Sequence, residues 1–150
     1  MLMPLRRCER WCQHTKLMDE AHSRMGSMEV FKEFTIEAAH WLPNVAEGHK
    51  CRRMHGHSFR VAVHVSGPLD EQMGWVVDFA EIKTAFQAIE DEIDHRCLNE
   101  VEGLENPTSE NLARWLWRRL LPALPALSRI VVRETCTSGC IYSGEAAPGH

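Results

Sequence analysis

The sequence predicts an α+β domain, with helices gathered on one face of an antiparallel sheet, and three observations carry that prediction. Two runs after residue 33 alternate apolar and polar residues with the period of two that a strand requires. Two later segments repeat apolar residues at three- and four-residue spacing, the mark of an amphipathic helix. A final alternating run follows them, so the order reads β-β-β-α-α-β, with strands and helices segregated.

In the first run Phe34, Ile36, Ala38 and His40 fall on one face, against Thr35, Glu37 and Ala39. A 14-residue connector, Trp41 to Met54, leads to the second run. There His55, His57, Phe59, Val61, Val63 and Val65 share a face, against Ser58, Arg60, Ala62 and His64. "GPLDEQMG" reads as a turn into a short strand, "WVV". Asp78 is placed to cap a helix, with Glu81 three residues on completing a capping box. Apolar residues at 79, 82, 86, 89 and 93 form its buried stripe. A polar loop leads to a second helix over roughly 109–121, whose stripe is Leu112, Trp115, Leu116 and Leu120. Pro122 and Pro125 stop it. Ile130, Val132, Glu134 and Cys136 alternate as the last long strand.

A chain of 150 residues is the size of one domain, large enough to bury a core without staples. Residues 1–27 lack a sustained period and read as a flexible N-terminal extension; Met25 or Met28 could equally serve as the start. Residues 28–150 read as the single folded domain. Cys8, Cys12 and His14 in the extension have no partner cluster and are expected to be unliganded. Five basic and three acidic residues leave +2 on 1–27, while 12 basic and 18 acidic leave −6 on the remainder. An acidic body argues against a nucleic-acid partner. The absence of a long apolar run and of a secretory h-region makes a cytoplasmic, non-membrane protein with reduced thiols the expectation, despite six cysteines.

The chemistry gathers around "CRRMHGHSF". His55 and His57, two apart in a strand, point the same way, and His40 shares the apolar face of the first run. If the runs pair antiparallel, all three imidazoles converge at one sheet edge, and three histidines with an open position are the ligand set of a catalytic zinc. Imidazoles also suit iron, copper or nickel. His49 and His64 read as ordinary surface residues. Cys51 is either a fourth ligand, closing a structural site, or a nearby thiolate favoured by the metal's charge. Glu134 falls on an apolar face, where a carboxylate needs a partner; an arginine would serve, and so would a ligand. Asp94-His95 is the pairing by which a carboxylate orients an imidazole, although an acidic residue at a helix end also occurs simply as a solvated one.

"FTIEAAHWLP", "CRRMHGHSF", "GWVVDFAEIK", "DHRCLN", "ENPTSENLARWLW" and "RETCTSGCIYSGE" together resemble the 6-pyruvoyltetrahydropterin synthase family. The three residues between Cys51 and His55 look more narrowly like its bacterial branch, the 6-carboxytetrahydropterin synthases of the queuosine (7-deazaguanine) pathway. The likeness spans about Phe31 to Glu145. It implies a tunnelling fold: a four-stranded antiparallel sheet with two helices on one face. It also implies a homohexamer of two trimers with active sites between subunits, and one zinc per subunit on His40, His55 and His57. Cys51 would be the acid/base thiol, and His95, polarised by Asp94, its proton-transfer partner from a neighbouring subunit. Glu134 would anchor a pterin, with Thr108 and Ser109 in the same pocket.

The implied reaction turns 7,8-dihydroneopterin triphosphate and water into 6-carboxy-5,6,7,8-tetrahydropterin, acetaldehyde and triphosphate. Two alternatives stand beside it: triphosphate elimination to a pyruvoyl pterin, and a non-catalytic zinc-binding assembly module closed by Cys51.

Overall fold

The computed structural model describes residues 26–145. Strand β1 (Ser27–His40) pairs antiparallel with β2 (His55–Pro68) in one unbroken register, from Ser27 opposite Pro68 to His40 opposite His55. Helix α1 (Phe79–Ile93) follows, then a two-residue strand β3 (Arg96–Cys97), helix α2 (Ser109–Leu120), β4 (Leu127–Arg133) and β5 (Gly139–Tyr142). The sheet order is β3-β1-β2-β4-β5. Among the described residues no helix is long and apolar enough to cross a membrane. Residues 1–25, including Cys8, Cys12 and His14, lie outside the described residues.

The expected α+β architecture is present, with corrections at its edges. The sheet has five strands rather than four, and β3 pairs parallel to β1 through Ala38–Arg96 and Ala39–Cys97. β1 starts seven residues before the first apolar alternation, because backbone pairing with β2, not burial, holds its mostly exposed first half. "WVV" is not a strand: only Trp75 bridges, to Asp70. The Asp70 carboxylate accepts from the amides of Gln72 and Met73, and Gly74 adopts φ +76°, so the chain closes a tight turn there. β4 stops at Arg133, short of Glu134 and Cys136. Thr135 Oγ1 hydrogen-bonds Ser138 Oγ at 2.6 Å and accepts from the Thr137 amide, turning the chain into β5. Gly139 is required at that corner, since a Cβ would lie 2.5 Å from the Val132 carbonyl oxygen.

Both helices pack on the face carrying Ile36, Phe59, Val61, Val63, Ile130 and Val132. Asp78 caps α1 by accepting from the Ala80 amide, and the stripe Ile82, Phe86, Ile89 and Ile93 is buried; Phe79, at the helix start, is half exposed. Thr108 caps α2, whose Leu112, Trp115, Leu116 and Leu120 face the sheet. The opposite face of the sheet is polar. There Glu29 accepts from Ser128 at 2.8 Å and stands 3.3 Å from both His64 and Arg129, linking β1, β2 and β4. His64 also stacks on Phe31.

Phe86 has no exposed surface and stacks on Phe34 with ring centroids 3.8 Å apart, joining α1 to β1. Phe86→Ala is expected to cost about 3–5 kcal/mol in stability, measured as a shift in the denaturant midpoint of unfolding. A shift worth less than about 1 kcal/mol would mean that the helix does not hold the sheet this way.

Candidate metal and catalytic site

His40 and His55 are direct cross-strand partners at the last rung of the β1–β2 ladder, and His57 sits two rungs in, opposite Ala38. Opposed residues of an antiparallel pair share a face, so the three rings meet. Their centroids are 4.5, 5.2 and 5.0 Å apart, and one nitrogen from each lies within 4.8 Å of the others. His40 Nδ1 is 2.8 Å from the Pro107 carbonyl oxygen, and His55 Nδ1 is 2.8 Å from that of Arg53. A carbonyl only accepts, so each Nδ1 carries the proton and each Nε2 keeps its lone pair. His40 is 1 % exposed, and its Nε2 has no hydrogen-bond partner among the described residues. Burial lowers its pKa and keeps the ring neutral. An orphaned, desolvated lone pair facing two further imidazoles fits a divalent cation.

Cys51 lies on a single 3₁₀ turn, Lys50–Arg52. His49 Nδ1 accepts from the Cys51 amide at 3.1 Å, and the Cys51 carbonyl accepts from the Leu42 amide at 2.8 Å, which ties the connector to its own start. The thiol, the three histidines and Glu134 line one cleft of ≈590 Å³. Glu134 Oε1 is 3.8 Å from His40 Nε2. Neither Cys51 nor Glu134 belongs to the cluster of donor atoms. Thr108 and Ser109 line a smaller cleft of ≈350 Å³ that shares Leu42, Glu134 and Ser138 with the first. The Thr108 hydroxyl accepts from the Asn111 amide as the helix cap, leaving its proton free to donate.

His95, with Asp94 hydrogen-bonded beside it, lines a shallow cleft of ≈570 Å³ with Glu37, Ser58, Cys97 and His57, the last shared with the metal cleft. Asp94 Oδ1 accepts from the Glu37 amide at 2.9 Å, and Oδ2 is 2.8 Å from His95 Nδ1. The Glu37 amide first, and His95 second, hold the Asp94 carboxyl below its usual pKa. His95 returns its own amide to the Glu37 carbonyl at 2.6 Å and takes φ +54°, a conformation uncommon outside glycine. The pair is oriented, and the ring is 76 % exposed.

The structure therefore brings His40, His55, His57, Cys51 and Glu134 together, places Thr108 and Ser109 next door, and leaves His95 on an adjoining cleft that meets the first at His57. Sequence reasoning did not find the carbonyls of Pro107 and Arg53 or the backbone of Glu37; backbone groups have no side-chain signature. Asn99 was also missed. Its amide bridges both the N–H and the C=O of Trp41, at 2.9 and 2.8 Å, and so anchors the connector beyond His40.

Residues 29–145 match the family model described as 6-pyruvoyl tetrahydropterin synthase. A Synechocystis protein named 6-carboxy-5,6,7,8-tetrahydropterin synthase is 44% identical over 119 residues, covering 75% of this chain and 91% of that one. A Bacillus subtilis protein of the same name is 31% identical over 128 residues, covering 77% and 85%. The solved structure of Caenorhabditis elegans 6-pyruvoyl tetrahydropterin synthase superposes with a TM-score of 0.75 at 27% identity, covering 81% of this chain and 99% of that one. The chain, with its paired-strand histidine cluster and two-helix sheet, belongs to the 6-pyruvoyl tetrahydropterin synthase family.

Proposed function

We propose that this protein is a zinc-dependent carbon–carbon lyase that converts 7,8-dihydroneopterin triphosphate and water to 6-carboxy-5,6,7,8-tetrahydropterin, acetaldehyde and triphosphate, serving queuosine (7-deazaguanine) biosynthesis in the cytoplasm. The observation that carries the reading is the orphaned Nε2 of buried His40, turned toward His55 and His57 at the wall of a cleft that also holds a thiol and a carboxylate. The two relatives named for this activity add to it.

His40, His55 and His57 would hold one zinc per subunit, each as a neutral ring. Zinc bound there would polarise the oxygens of the substrate's side chain, which makes the neighbouring C–H groups acidic enough for a side-chain base. Cys51 is assigned as that base, on a turn clamped at both its amide and its carbonyl. Glu134 is assigned to the pterin: a carboxylate accepting two N–H donors from the ring edge gives orientation as well as affinity. Thr108 and Ser109 form the adjoining wall. His95, polarised by Asp94, is the proton donor on the opposite side. Because it lines a different cleft from Cys51 within one chain, we assign it to the site of a neighbouring copy, in a hexamer built from two trimers. Residues 1–27 are proposed to take no part in the catalysis of the domain over 28–150, with Ser27 adding only the first rung of β1 opposite Pro68.

The second reading is triphosphate elimination to the 6-pyruvoyl product, favoured by the name of the Caenorhabditis elegans structural relative. Incubation of the zinc-loaded protein with dihydroneopterin triphosphate separates the two: acetaldehyde is expected, and a pyruvoyl pterin without acetaldehyde would move the assignment.

His55→Ala is expected to lose bound metal and turnover together; undiminished zinc by metal analysis would show that the ion sits elsewhere. Cys51→Ala is expected to retain zinc and fold while turnover falls by about 10² or more. Loss of zinc on that substitution would instead make Cys51 a fourth ligand and the protein a closed, non-catalytic zinc module. Deleting residues 1–25 should leave kcat/KM within about twofold, and a larger fall would place part of the extension in the enzyme.

A further inference from the structure

The two joined clefts differ in charge. Glu134 stands where they meet and Glu110 lines the smaller one. Among the described residues, Lys50 and Arg53 are the only lysine or arginine side chains lining either, and both belong to the metal cleft alone. Neither side chain is paired with a carboxylate or engaged in a hydrogen bond among the described residues, whereas Arg52 between them is spent on the Val45 carbonyl at 2.9 Å. The turn explains the alternation. Arg53, the extended residue that closes the turn, returns its amide to the Lys50 carbonyl, and positions 50 and 53 line the same cleft as Cys51 while Arg52 does not.

We infer that Lys50 and Arg53 form the subsite for the substrate's triphosphate, an inference that rests on the proposed pterin triphosphate reading and completes it. The substrate carries its charge at one end and its guanidine-like ring edge at the other. The clefts offer matching chemistry: a carboxylate at their junction for the ring edge, three imidazoles for the intervening oxygens, and two free cations that line the metal cleft and not the smaller one. A triphosphate placed against Glu134 and Glu110 would meet like charge; placed against Lys50 and Arg53 it gains charge-assisted hydrogen bonds. Arg53 joins the two functions, since its backbone carbonyl orients the metal ligand His55 while its side chain reaches the anion. Changing the side chain leaves that carbonyl in place.

The test is a binding comparison on the zinc-loaded protein, using neopterin triphosphate and neopterin, the oxidised ligands that present the same two ends, with pterin fluorescence as the readout. The wild type should prefer the triphosphate. The double variant K50Q/R53Q should lose about tenfold or more in triphosphate affinity, with zinc content retained and neopterin affinity changed less than about twofold. The charge-keeping exchange K50R/R53K should keep most of the preference, which a purely structural role for the turn would not require. Arg60→Gln, on an exposed position of β2 that lines neither cleft but a neighbouring one sharing Glu134 and Thr135, should leave it intact. Equal wild-type affinity for both ligands, a preference that survives K50Q/R53Q, parallel weakening of both ligands, or equal loss in Arg60→Gln would each overturn the assignment. A Lys50- and Arg53-dependent preference in a protein that releases no acetaldehyde would leave the anion subsite standing and discard the lyase reading.

Discussion

The register between β1 and β2 is the constraint on which the site depends. Fourteen residues of β1 pair without interruption with fourteen of β2, and the last rung sets His40 against His55. Side chains alternate along a strand, so a slip of one residue would send His55 and His57 to the polar face while His40 stayed with the core. Such a slip would also expose Phe59, Val61 and Val63, none of which has any exposed surface. The hydrophobic core and the histidine cluster are thus enforced by one pattern. Three histidines continue the apolar stripe of two strands past the point where the helices cover it.

The site forms where the neighbouring ladder ends. β4 pairs with β2 only up to Arg133 opposite Arg60, so His55 to Phe59 extend beyond it. There the Thr135–Ser138 turn brings Glu134 beside His40 instead of continuing the sheet. Burial of His40 has a cost, because a desolvated imidazole nitrogen without a partner is unfavourable by about 1–3 kcal/mol. A bound cation removes that cost, and the Pro107 and Arg53 carbonyls have already set the tautomer it needs. Metal affinity and local stability are coupled at this corner of the sheet.

How much of this was legible follows from what each part is made of. The helices were readable to within a residue, because their stripes and caps are side-chain patterns; so was the phase of the histidines, because β1 and β2 are half-buried strands. β3 was not: two residues, Arg96 and Cys97, carry no period. The exposed half of β1 has no stripe, and "WVV" has the composition of a strand but follows a turn closed by Asp70 and Gly74. Glu134 lies at the end of an apolar face and lines the cleft. Its alternation with Ile130 and Val132 reads as a continuing strand, whereas β4 stops at Arg133 and Glu134 faces the cleft for that reason. The site's electrostatics were the least readable, since which of Lys50, Arg52 and Arg53 is free depends on one bond to the Val45 carbonyl that no spacing announces.

The separation of Asp94-His95 from Cys51 has a cause in the same two strands. Glu37 alternates with the core-facing residues of β1, and both of its backbone groups are given to the pair: its amide to Asp94 and its carbonyl to the His95 amide. The pair is therefore attached at the β3 edge of the sheet, while the connector that carries Cys51 is closed back on Leu42 at the end of β1. Within one chain the two therefore line different clefts that meet at His57. An orienting carboxylate and a strained φ at His95 are of no evident use to a ring 76 % exposed to water. They gain a purpose if that ring completes a cleft on another copy, and on the proposed assignment association of subunits is then a requirement of the chemistry itself.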